Sequence, residues 1–178
     1  MTGSTYLEFD TALNKGMKLI KEEKHKNFGL LIITAINLGL RISDLLTLTF
    51  EQLRKESFEI VEGKTGKRRK LTVNSNIKNA LKHFTDEPDN FYCFRSQKNS
   101  VYSTQQINRL MKEHFNGGRK YTSHSLRKAF GRRVWENDNG SERSLVYLNE
   151  LFNHVTIKQT KVYLGIRQEE LDNIYLNL

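Results

Sequence analysis

The chain has 178 residues, with 29 Lys and Arg against 20 Asp and Glu, a formal charge of +9. That length supports one hydrophobic core, and that charge favours a polyanionic partner such as DNA, RNA or an anionic surface. The single cysteine, Cys93, excludes an internal disulfide and a cysteine cluster for zinc, and no apolar run approaches the roughly 20 residues needed to span a bilayer. A soluble, cytoplasmic protein without a membrane partner is expected.

Apolar residues recur at helical spacing through Phe9, Leu13, Met17 and Ile20, and again through Phe28, Leu31, Ile32, Ala35 and Leu38, which predicts two packed helices. Gly39 closes the second, and a short third helix follows from about Ser43 with Leu45, Leu46 and Leu48. SFEIV and RKLTV, two short runs around GKTGK, predict a β-hairpin. Helix returns over residues 77–84, a brief third strand is expected over 91–94, and Ser103 or Thr104 caps a helix running to His114. From Ser123 the pattern is helical almost to the end, with breaks at Asn139-Gly140 and around residues 153–155. The expected fold class is mainly α with a small antiparallel three-stranded sheet (α+β). Nothing divides the chain, so residues 1–178 read as a single domain.

The last third carries His124 and Arg127 in YTSHSLRKAF, then His154 and Tyr163 in LFNHVTIKQTKVYLG. Guanidinium and imidazole groups donate hydrogen bonds to phosphate oxygens and a phenol supplies an oxygen nucleophile, so these types suit attack on a phosphodiester. Arg127 lies three residues after His124, which puts both on one helix face. Arg41 follows LGL at the start of a helix, where Asp44 is placed to orient its guanidinium. A phenol, with a pKa of about 10, needs cationic neighbours and a base; His124 is the expected proton acceptor and His154 a donor to a phosphate oxygen. Lys64 opens KTGKRRK and is the candidate proton donor to the leaving 5′-oxygen, carried on a mobile hairpin. Lys67, Arg68, Arg69 and Lys70 on that hairpin are expected to touch DNA phosphates.

Other patterns fail. Gly63-Lys64-Thr65 resembles the end of a phosphate-binding loop, but Phe58 stands where the first glycine is required, and a strand follows rather than a helix. A calcium loop in NDNGSERSLVYLNE would place Trp135 and Val146 at ligand positions. His25, His83 and His114 read as surface residues, Trp135 and Cys93 as core.

In order and approximate spacing, Arg in LGLRISDLLTL, Lys in a following hairpin, His-x-x-Arg in HSLRKAF and then NHVTIKQTKVYLG resemble the tyrosine recombinases, or phage-type integrases, over residues 9–164. The resemblance implies that Arg41, Lys64, His124, Arg127, His154 and Tyr163 form the active site. Tyr163 would form a 3′-phosphotyrosyl link and release a 5′-hydroxyl that rejoins strands on a second duplex, with no metal, ATP or other cofactor. It also implies double-stranded DNA as partner and self-association on it as a dimer or tetramer. Asn153 and Val155 stand where glycine and serine are common in the family, and Lys128 where histidine often follows the arginine. Relatives usually carry an N-terminal helical domain that clamps the opposite face of DNA, and this chain is expected to lack it. Its end, GIRQEELDNIYLNL, forms a tail over residues 166–178 whose stripe of Ile166, Leu171, Ile174, Tyr175 and Leu178 either folds back on its own domain or, as the resemblance suggests, docks on a neighbouring subunit. Two other functions fit the same residues: a catalytically inactive DNA-binding protein of this fold, and a type IB topoisomerase-like relaxing enzyme.

Overall fold

The computed structural model describes residues 3–115 and 118–177. Helix α1 (Phe9–Lys21) packs beside α2 (Lys26–Leu38), and α2 is the centre of the molecule, enclosed by α1, α5 and α7. Every residue from Phe28 to Ile36 is buried. A helix apolar on all sides has to sit inside a core, and each such Leu or Ile contributes about 1.5–3 kcal/mol. Gly39 ends α2 in the left-handed region at φ +61°, its N–H donating to Ala35 O. A Cβ there would lie 2.3 Å from the Phe130 ring, so both conformation and space demand glycine.

The chain then enters α3 (Ile42–Leu45) with Arg41 as its N-cap, and α4 (Phe50–Arg54) behind a Thr49–Gln52 capping box. The predicted third helix thus stops at Leu45 rather than reaching Leu48, and α4 is a further short helix that Thr49 starts with a new cap. Strands β1 (Ser57–Val61) and β2 (Arg68–Thr72) form the hairpin, pairing Phe58 with Leu71 and Ile60 with Arg69. Phe58, Ile60 and Leu71 face the core.

Among the described residues the sheet has two strands, not three. Residues 91–94 pair with the connection between α3 and α4 instead: Cys93 N–H donates to Leu48 O at 2.9 Å and Phe50 N–H to Phe91 O at 3.1 Å. That connection bends at once into α4, so only one bridge forms, Thr49 with Tyr92, while Cys93 and Phe94 plug the core. Helices α5 (Ser75–Leu81) and α6 (Thr104–His114) complete this part. His83 is exposed, but His25 and His114 are not the surface residues expected, with side chains only 20% and 12% exposed and rings in edge contact at 5.3 Å.

Helix α7 (Ser123–Asn137) joins two cores. Leu126 and Ala129 belong to the large one around α2; Phe130, Val134 and Trp135 pack on a smaller one of Leu145, Leu148, Phe152, Leu164 and Ile166. The smaller core is built by α8 (Glu142–Phe152), α9 (Ile157–Leu164) and the start of α10 (Ile166–Leu176). Gly131 lets them sit close to α7, since a Cβ would meet Leu164 Cδ2 at 2.6 Å. Among the described side chains of α10 only Ile166 is buried; Leu171, Ile174 and Tyr175 are 41%, 58% and 76% exposed, so the tail's stripe is not folded back on the described residues. Leu178 lies outside those residues. No helix among them is long and apolar enough to cross a membrane.

Candidate active site

The seam between the two cores opens into a cleft of about 390 Å³, and Arg41, Lys64, His124, Arg127, His154 and Tyr163 all line it. Arg41 comes from the cap of α3, Lys64 from the hairpin turn, His124 and Arg127 from the start of α7, His154 from the α8–α9 connection and Tyr163 from the last turn of α9. Thr122 caps α7 by accepting from His124 N–H, which fixes where the His-x-x-Arg face begins.

Both cleft arginines are held by acceptors. Arg127 donates through Nε to Gly39 O at 3.0 Å and through Nη2 to Leu151 O at 3.4 Å. Arg41 donates through Nη1 to Glu62 Oε2 at 2.6 Å and through Nη2 to Phe152 O at 3.2 Å. Its orienting carboxylate is therefore Glu62 and not Asp44, whose Oδ1 instead accepts from Gly63 N–H at 3.0 Å. Asp44 pins the hairpin turn; a partner three residues away on one short helix is not the one that geometry selects.

Arg69 also departs from expectation. It faces inward beside Ile60, donates to Glu62 Oε1 at 3.4 Å and to Leu38 O at 3.3 Å, and is 13% exposed, so it is a structural cation under the cleft rather than a DNA-facing one. Arg68, Lys70 and Lys64 are exposed, with Lys64 at the cleft wall. Lys67 is exposed and donates to Asn153 Oδ1 at 2.7 Å, while Thr65 donates to Glu62 Oε2 at 3.0 Å. The hairpin is thus tied to the cleft's far side rather than free.

Burial opposes ionisation of Glu62, yet hydrogen bonds from Arg41, Thr65 and Arg69 outweigh it and hold the carboxyl below its usual range. Burial first, then Arg41 and Arg69, lowers Arg127 to about 10, which leaves it charged at neutral pH. Burial, with Arg127 and Lys128, lowers His124; burial, with Arg127 and Arg41, lowers His154 to about 4. Both imidazoles are neutral at pH 7. Burial pushes Tyr163 up to about 12 against the pull of Arg127 and Arg41, and its hydroxyl is sealed from solvent with no hydrogen-bond partner among the described residues.

The hydrogen bonds fix the tautomer of His154. Asn149 Nδ2 donates to His154 O at 3.0 Å, so its Oδ1 accepts from the Thr160 hydroxyl at 3.2 Å. Having spent its one proton there, Thr160 accepts from His154 Nδ1 at 3.0 Å, which leaves the lone pair on Nε2. Asn153 before it adopts φ +54° as the cap of α8, a conformation glycine takes most readily and asparagine tolerates. Lys128 is buried, donates to Ser4 O at 2.6 Å and lies 5.1 Å from the centre of the Tyr163 ring.

Phe152 is a hub that the sequence pattern did not single out. Its ring lies 4.6 Å from the Arg127 guanidinium carbon, 5.5 Å from His154 and 5.4 Å from Tyr163. Glu62 lies outside every motif of the sequence pattern in the same way. In both cases a signal existed, since Phe152 closes an apolar stripe with Leu145 and Leu148, and the period-two alternation of β1 that buries Phe58 and Ile60 reaches Glu62 two residues on. The cleft therefore combines two oriented guanidinium groups, two neutral imidazoles, a lysine and a phenol. Such a set can hold an anionic tetrahedral group against an oxygen nucleophile.

Comparison with known proteins agrees with this architecture. The profile described as "Phage integrase family" matches residues 12–170. The chain belongs to the phage integrase family. A Bacillus subtilis (strain 168) protein named "Probable integrase/recombinase YoeC" is 30% identical over 151 residues, covering 82% of this chain and 81% of that protein. Among solved structures, XerA recombinase superposes on 99% of this chain with a TM-score of 0.68 at 19% identity. A lambda integrase dimer bound to a COC′ core site superposes on 92% with a TM-score of 0.65 at 16% identity. This family member spans 66% of the XerA chain and 49% of the lambda integrase chain.

Proposed function

We propose that this chain is a site-specific recombinase or integrase that cleaves and rejoins duplex DNA through a 3′-phosphotyrosyl link on Tyr163, without metal or ATP. The observation that carries this reading is the meeting of all six side chains in one cleft from five separate parts of the chain. A scissile phosphate sits between Arg41 and Arg127, which face the charge that grows on its non-bridging oxygens. Tyr163 Oη, sealed from solvent in this structure, is uncovered as DNA binds and forms a bond to phosphorus as its proton passes to His124. The bond from phosphorus to the 5′-oxygen breaks, and Lys64 protonates the leaving oxygen. One phosphodiester replaces another, so rejoining by a 5′-hydroxyl of a second duplex requires no external energy source.

His154 is neutral and carries its lone pair on Nε2. Burial first, then Arg127 and Arg41, holds it neutral; a phosphodiester between the arginines offsets those two charges and favours the imidazolium, so His154 gains a proton as DNA binds and then donates to a phosphate oxygen. Lys67, Arg68 and Lys70 meet the flanking backbone. The exposed stripe of α10 supports self-association on DNA, with the tail docking on a neighbouring copy; a lone topoisomerase-like enzyme would have no use for it.

Incubation with nicked suicide duplexes followed by denaturing electrophoresis tests the reading. A covalent protein–DNA band is expected from the native chain and none from Tyr163→Phe. Salt-sensitive DNA binding without any such band would instead identify an inactive DNA-binding protein.

A further inference from the structure

We propose that His25, Glu113 and His114 form a second site, for a divalent transition-metal ion such as zinc, that clips the turn before α2 to the end of α6. Their ligand atoms all lie within 4.8 Å of one another. Glu113 Oε1 stands 3.8 Å from His25 Nε2 and 3.9 Å from His114 Nε2. Around zinc, with bonds of about 2.0–2.2 Å, tetrahedral ligand atoms stand about 3.4 Å apart, so those two edges close by about half an ångström. Glu113 is 48% exposed and has room to turn.

Two further features point to an ion. His114 Nε2 is sealed from solvent and has no hydrogen-bond partner among the described residues, an open lone-pair or donor position aimed into the cluster. His25 adopts a left-handed backbone at φ +59°, uncommon for a residue with a side chain, and that conformation sets its ring edge-on to His114. Two imidazoles with one carboxylate suit zinc, nickel or cobalt rather than magnesium or calcium, and three protein ligands leave a fourth place for water. Lys15 and Lys24 bring positive charge to the same ring, which limits affinity. The sites are separate, because none of the three residues lines the Tyr163 cleft. The clip would stabilise the large core rather than take part in strand cleavage.

The test is calorimetric titration of the chelator-treated full chain with zinc, alongside Tm measured against zinc concentration. One saturable site and a Tm that rises with zinc are expected. His25→Asn keeps a residue that tolerates the left-handed backbone but removes the imidazole, and Glu113→Gln removes the carboxylate at an exposed position. Each should weaken binding at least tenfold and abolish the Tm response, whereas the double variant His124→Ala, His154→Ala should retain both. Absence of a saturable zinc site, unchanged binding in His25→Asn, or loss of binding in the double cleft variant would overturn the proposal.

Discussion

Glu62 Oε2 accepts from Arg41 Nη1 at 2.6 Å while its other oxygen accepts from Arg69 at 3.4 Å, so one buried carboxylate from the hairpin holds a cleft arginine and a core arginine together. The pair links the loop that carries Lys64 to the helix cap that carries Arg41. Glu62→Gln removes the charge and leaves two guanidinium groups largely buried without their counter-ion, which destabilises by about 3 kcal/mol. Urea unfolding at pH 7 measures this. The carboxyl titrates below its unfolded value of about 4.5, so its contribution is complete above that pH and is lost as pH falls through the lower folded value. Glu62→Gln should accordingly flatten the acid limb of the stability curve.

Gly39 supports the other arginine. Its carbonyl accepts from Arg127 Nε at 3.0 Å, and its own φ of +61° lies where a Cβ would strike Phe130. Gly39→Ala should destabilise the fold by about 1–3 kcal/mol from the backbone alone. It should also reduce cleavage more than Gly165→Ala, where φ is +80° but a Cβ meets nothing. Thermal unfolding and single-turnover cleavage of the two variants separate strain from loss of arginine positioning.

How much of this was legible in the sequence depended on distance along the chain. The six cleft residues could be found because each lies in a local motif whose chemistry is readable, and α2 because its apolar run has no polar face. The partners of those residues were not legible in the same way. Glu62 meets Arg41 only after the hairpin folds over α3, and Arg69 looks like its neighbours Arg68 and Lys70 in a run of charge, although its pairing with Ile60 turns it inward. Residues 91–94 have strand composition but pair with a connection that ends in a helix cap, so propensity was overridden by what lay beside them. His25 and His114 are 89 positions apart, and nothing local marks their contact.

DNA binding should take up a proton. His154 sits at about 4 with its Nε2 unprotonated, and a bound phosphodiester offsets the charge of Arg41 and Arg127. Calorimetry of DNA binding at pH 7 in buffers of different ionisation heat should show net uptake that falls in His154→Gln. In the absence of DNA the depressed value means that the folded state loses stability as pH drops from about 6.5 towards 4, and that part of the pH dependence should vanish in the same variant. Uptake equal in both proteins would contradict the role given to His154.

The tail makes a separable contribution. Leu171, Ile174 and Tyr175 are exposed on α10, while Ile166 is anchored in the smaller core. Truncation after residue 170 should therefore leave the fold and single-site cleavage intact and abolish cooperative assembly on paired sites. Gel shift across protein concentration, together with suicide-substrate cleavage, reads the two effects independently.

The most direct measurement is to digest the trapped protein–DNA adduct with protease and nuclease and locate the modified residue by mass spectrometry, using a pool of nicked duplexes with varied core sequence. The account predicts a nucleotide joined through its 3′-phosphate to the peptide containing Tyr163. A nucleotide on any of the other six tyrosines, or on a residue of another type, would contradict it.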